Sequence, residues 1–221
     1  MILLLTIFAL IHGTIGQPAQ APPTSITQSI RDKVISMHNY RRSRLAQGFV
    51  PNGVNGMKFL PKGSNIYYLK YNRTLENAAQ QYADGCPTTG SSNTTRNDTG
   101  ENFAIVPSTT MTYYDAVINA TKQFWREVKR GAGIIDTTTL LYFSNMSGTL
   151  SRFTQMAWAS TYEVGCGARI CPRNSNTVVV CRYSPRGNIP NTRIYQLGEK
   201  CGTCPSNCVT AYNYQGLCNP P

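Results

Sequence analysis

Few residues in this chain are equipped for catalysis. It has two histidines. His12 lies in an apolar leader, so His38, in Met37-His38-Asn39-Tyr40-Arg41-Arg42, would have to serve any Ser-His-Asp or Cys-His set. A lone imidazole between a methionine and an asparagine reads as a structural hydrogen-bonding group, and no Gly-x-Ser-x-Gly elbow is present. No catalytic residue is assigned. Among the acidic residues only Glu101 and Glu127 stand in contexts that single them out, and two carboxylates alone hold a hard cation weakly. Arg152 heads the stretch Leu150-Ser-Arg-Phe-Thr-Gln-Met-Ala-Trp158. From Phe153 that stretch alternates, with Phe153, Gln155 and Ala157 against Thr154, Met156 and Trp158. This predicts a short half-buried strand. A guanidinium at its start either reaches solvent or fills a site that another residue type could occupy.

The eight cysteines are Cys86, Cys166, Cys171, Cys181, Cys201, Cys204, Cys208 and Cys218. Cys201-x-x-Cys204 has zinc-like spacing. An even number in an exported chain implies bridges instead. Export is expected from residues 1–16, MILLLTIFALIHGTIG, read as a signal peptide cleaved after Gly16, with Ala19 and Ala21 as alternatives. The run is too short for a membrane span, and no later segment is apolar enough for one. The expected location is therefore extracellular. Five Asn-x-Ser/Thr sequons, at Asn72, Asn93, Asn97, Asn119 and Asn145, are candidates for N-glycans. The formal charge of +11 comes from scattered basic residues. Outside the cell its natural partners are acidic glycans or anionic surfaces, not nucleic acid.

These residues need a scaffold. Residues 17–24 form a Pro-rich extension. Ser25 or Thr27 is expected to cap a helix to about Gln47, buried through Ile30, Val34, Met37 and Leu45 and stopped by Gly48. Gly and Pro keep PNGVNGMKFLPKGSN irregular. Thr74 is expected to cap a helix over Leu75–Ala83, packed through Leu75, Ala78, Ala79 and Tyr82. A strand is expected over Glu101–Val106, then a helix from a Thr112 cap to about Lys129. A long loop runs from Gly131 to Thr149. Strands are expected over Val164–Ile170 and Thr177–Tyr183, the second central because it is apolar and β-branched. After Gly198 the remaining stretch is too short for a core of its own.

Five motifs carry a resemblance. They are His38-Asn39-x-x-Arg42, Gly100-Glu101-Asn102-Phe103, Phe124-Trp125-Arg126-Glu127, Phe153-Thr154-Gln155-Met156-Ala157-Trp158 and Cys181-Arg182-Tyr183-Ser184-Pro185-Arg186-Gly187-Asn188. The chain resembles the CAP superfamily, and within it the venom allergen-like, activation-associated secreted proteins of parasitic nematodes. The likeness runs from Ile26 to Cys218. It implies an α+β fold, a three-layer α-β-α sandwich over 25–197 with a cysteine-rich tail over 198–221. It also implies the bridges Cys86–Cys171, Cys166–Cys181, Cys201–Cys208 and Cys204–Cys218.

Members of the family hold a divalent cation on two histidines and two glutamates in a central cavity. Glu101 and Glu127 match the glutamates. Gly90 and Arg152 stand where the histidines would be, so Arg152 is expected to face one or both carboxylates, and no tight metal site and no cofactor are expected. The resemblance further implies a non-enzymatic effector binding sterol or fatty acid at a host surface. The apolar stretch with Ile134, Ile135, Leu140, Leu141, Tyr142 and Phe143 is the candidate lipid site, although it lacks the family's three-aromatic spacing. The alternative is an interaction module for a host receptor or acidic glycan without a lipid role.

Overall fold

A computed structural model describes residues 26–53, 58–130 and 135–221. The expected signal peptide and Pro-rich extension lie outside these residues. Helix α1 spans Gln28–Ala46, and the Thr27 hydroxyl at its start accepts the Ile30 amide. Gly48, at φ +76°, ends it as expected, because a left-handed residue favours glycine. Strand β1 is Lys70–Tyr71, and helix α2 spans Arg73–Asp84. The cap of α2 is Asn72 rather than Thr74: its side-chain oxygen accepts the amides of Thr74 and Leu75. Ala78, expected to pack, faces outward. Strand β2 is Gly100–Val106, and helix α3 is Tyr113–Arg130, with the Thr112 hydroxyl accepting the Asp115 amide as expected of its cap.

Strand β3, Leu141–Tyr142, breaks the long loop. Ser151–Ala157 is then a helix, α4, and not the expected strand. Phe153, Met156 and Ala157 recur at the helical spacing of three and four, and the two-residue alternation was the accidental pattern. Strands β4, Glu163–Cys171, and β5, Asn176–Ser184, follow as expected, then β6, Thr192–Arg193.

The main sheet has the order β1-β4-β5-β2, so β5 is central. It pairs antiparallel with both neighbours, whereas β1 runs parallel to β4. β3 and β6 form a separate antiparallel ribbon. Val178 and Val180 face Ala79 and Ala83 of α2 in one core. Val179, Cys181 and Tyr183, on the opposite face, join α1, α3 and α4 in the larger one. Helix, sheet and helices thus form the three-layer sandwich expected. Gly165 and Gly167 let α2 lie directly on β4, because a Cβ at either would collide with α2 backbone.

The described cysteines are all bridged, in the four pairs that the resemblance implies. Cys86–Cys171 joins the residues following α2 to the end of β4. Cys166–Cys181 links residues directly opposite in the β4–β5 pair. The tail is not an independent appendage: Leu217 and Cys218 are buried, Leu217 in the larger core, and the Ser43 hydroxyl of α1 donates to the Gln215 carbonyl.

Candidate functional site

The first motif proves structural. His38 is wholly buried, and burial pushes its pKa down to about 3, so the ring is neutral. Nδ1 lies 2.8 Å from the Val34 carbonyl, which can only accept, so Nδ1 carries the proton. Nε2, 3.0 Å from the Tyr183 hydroxyl, is then the acceptor. Both ring nitrogens are occupied inside the core. Asn39 pairs with both backbone groups of Leu69, and Arg42 donates to five carbonyls, those of Tyr67, Met156, Trp158, Ala159 and Thr161. The motif fastens α1 to the chain segments on either side of the sheet's end.

The two glutamates lie apart in function. Glu101 projects from β2 opposite Arg182 of β5 in register. Its carboxylate accepts the Ser91 amide at 2.8 Å and the Ser91 hydroxyl at 2.9 Å, and it meets Arg182 Nη2 at 3.2 Å and Arg96 Nη1 at 4.0 Å. Glu127, near the end of α3, accepts the amides of Arg152 and Phe153 at 2.8 and 2.9 Å, and so caps α4 from another element. Burial raises the Glu127 pKa, opposed by the Phe153 amide and by the charge and amide of Arg152. Arg152 Nε lies 3.3 Å from Glu127, so of the two carboxylates Arg152 faces Glu127.

Gly90 is beside Glu101: a Cβ there would sit 2.8 Å from its Oε1. Gly90, Glu101 and Arg152 line one cavity of about 380 Å³, while Glu127 is held at the head of α4 outside its wall. The donor set does not fit the four-ligand divalent site of the resemblance. A cation at Glu101 would displace Arg182 and both Ser91 donors, and one at Glu127 would uncap α4. Among the described residues no three His, Cys, Asp or Glu side chains form a metal-binding group.

The lipid candidates divide. Ile135, Leu140 and Tyr142, expected to belong to a lipid site, are instead buried in the larger core. The cause is the β3–β6 ribbon, whose Leu141↔Arg193 and Tyr142↔Thr192 pairing brings this stretch back so that Tyr142 packs on Trp158. Leu141 is half-buried and Phe143 exposed. Ile134 lies outside the described residues. Of the sequons, Asn93, Asn97 and Asn145 are exposed, whereas Asn72 and Asn119 are half-buried.

Sequence reasoning missed Arg96, Arg182 and Arg186. Arg96 and Arg186 line the cavity, and Arg182 reaches Glu101 from behind. One signal was available: Arg182 alternates with Val178 and Val180, which places its side chain on the α2 face rather than in solvent. Arg96, in a polar loop between sequons, offers no such signal.

A family model described as the cysteine-rich secretory protein family, CAP, matches residues 35–183. The chain is 31% identical over 199 residues to "Ancylostoma secreted protein" of Ancylostoma caninum, covering 90% of this chain and 46% of that one. It therefore spans about half the length of that relative. Among solved structures, BmVAL-1 is 30% identical with a TM-score of 0.77, over 89% of this chain and 96% of that one. NaASP2, solved with Zn²⁺, is 28% identical with a TM-score of 0.75, over 92% of this chain and all of that one.

Proposed function

This chain belongs to the CAP family of cysteine-rich secretory proteins, and from that premise we propose that it is a secreted effector acting by binding, not catalysis, at the surface of a host. One observation carries the non-catalytic reading. The single histidine of the described residues has both nitrogens engaged in the core, and the two cavity-region glutamates are held by arginines and amides. Among the described residues no nucleophile, base and orienting group come together.

The ligand we assign is a sterol or fatty acid, as the family likeness suggests. Support comes from the β3–β6 ribbon and its flanks, where Leu141 is half-buried and the flanking Phe143 and Ile189 are exposed. A sterol is almost wholly hydrocarbon and needs an apolar surface with one polar partner. Titration of the protein with a fluorescent sterol tests this reading. Each apolar-to-aspartate change removes about 2 kcal/mol of burial. Leu141→Asp with Phe143→Asp should therefore weaken binding at least about 100-fold, with an unchanged far-ultraviolet circular dichroism spectrum. Normal sterol binding by the double variant would move the site elsewhere. A wild type that binds neither sterol nor fatty acid would replace the lipid reading with that of an interaction module.

A further inference from the structure

The cavity beside Gly90 holds a surplus of positive charge and an unmatched buried donor. Three guanidiniums line it, Arg96, Arg152 and Arg186, against one carboxylate, Glu101. Counting the partners just outside the wall keeps the sign. Arg182 adds a fourth cation, Glu127 is paired with Arg152, and Asp98 is paired with Arg186 on the exposed rim. Four cations thus face three anions, and two amides also draw on Glu127.

A second observation is independent of this balance. The Nε of Arg96, a residue of the cavity wall, is buried and has no hydrogen-bond partner; the Arg182 side chain, only 6% exposed and with its own Nε and Nη1 unpartnered, lies behind Glu101 beside Tyr82 and not in this wall. Buried donors are almost always satisfied, so the bare Arg96 N–H in this wall calls for another acceptor. The remaining wall is mostly polar, with Ser91, Ser147, Ser151 and Asn188 set against Phe103 and Tyr142. Such a wall does not suit a sterol.

We infer that this cavity binds an anion, specifically the tetrahedral oxyanion of a sulfate or phosphate monoester. A tetrahedral group offers acceptor oxygens in several directions, which suits donors arriving from separate elements. Guanidinium forks match it in pairs. The volume of about 380 Å³ leaves room for a sugar-sized body behind the oxyanion. The position that relatives' likeness reserves for a cation is here turned to the opposite charge by Gly90, Arg152 and the arginines around Glu101. This inference stands whether or not the lipid reading does.

Calorimetric titration of the full chain with inorganic sulfate and phosphate, in chelator and at constant ionic strength, tests it. One saturable millimolar site is expected. Arg186→Gln, on the rim and half exposed, should weaken it about tenfold, while Glu101→Gln should tighten it. Opposite shifts are the signature of a charge-selective cavity, because a variant with a damaged fold only loses affinity. Glucosamine 6-sulfate and glucose 6-phosphate then separate the two sources, and tighter binding of either supports the site. The inference is overturned by absence of saturable binding, by equal displacement with chloride, or by shifts of the two variants in the same direction.

Discussion

Arg42 and Glu76 show how single buried charges organise this chain. Arg42 is wholly buried, and burial pushes its pKa down to about 9, which leaves it charged at neutral pH. Its five carbonyl acceptors replace the lost water. Glu76 of α2 is nearly as deep. It takes two bonds from Arg31 of α1, at 2.7 and 2.8 Å, and one from the Tyr71 hydroxyl at 2.7 Å. Burial pushes the carboxyl pKa up, but the Arg31 and Tyr71 bonds outweigh it and hold it below the ordinary range. A folded pKa below the unfolded one means that this stabilisation is complete above about pH 4.3 and is lost as pH falls through the folded value. Glu76→Gln should cost about 2 kcal/mol at neutral pH, a Tm drop of about 4–8 °C. The gap between variant and wild type should close on acidification below pH about 4. Calorimetric scans of both proteins from neutral to acid pH measure it; a gap that stays constant refutes the assignment. Neither residue announced its role in the sequence, because the partners of Glu76 include a residue 45 positions away, and most of Arg42's lie more than 100 away.

At the scale of elements, α4 is where sequence and structure part. Seven residues fit either period, and no local cap marks the start: Leu150 makes no side-chain cap bond. Glu127 of α3 supplies the cap, and Trp125 packs edge-on against Phe153 with centroids 4.7 Å apart. Helix α4 therefore depends on α3. Glu127→Ala bares two amides, at about 1–3 kcal/mol each. Hydrogen exchange at Arg152 and Phe153 should accelerate by at least about tenfold, with β4 and β5 amides unchanged. Unaltered exchange at those two positions would mean that α4 holds its first turn without Glu127. The longer helices were legible because their stripes and caps are local: Ile30, Val34, Met37 and Leu45 in α1, and Thr112 before α3, lie where their spacing places them.

The whole molecule is closed by its bridges and by its last residues. Cys204–Cys218 spans a sequence separation of 14, and restraining such a loop in the unfolded chain is worth roughly 3 kcal/mol. Leu217 and Cys218 also sit in the body of the protein, so loosening this bridge should act on the main fold. Cys204→Ser with Cys218→Ser should lower Tm by about 6–12 °C in one cooperative transition; a separate low-temperature transition would show a tail that unfolds alone. The sequence by itself determined the α+β class, the central place of β5 and the scarcity of catalytic groups, because these follow from local periodicity, caps and composition; the layering of helices on both faces of the sheet came from family likeness. The bridge pairings came from family likeness, since eight cysteines alone leave them open. Only the tertiary structure decided that α4 is a helix, that Ile135, Leu140 and Tyr142 are core, and that Arg96, Arg182 and Arg186 gather around Glu101. Each of these depends on groups far apart in the chain meeting across the sheet, and no local pattern encodes which buried donor will find which acceptor.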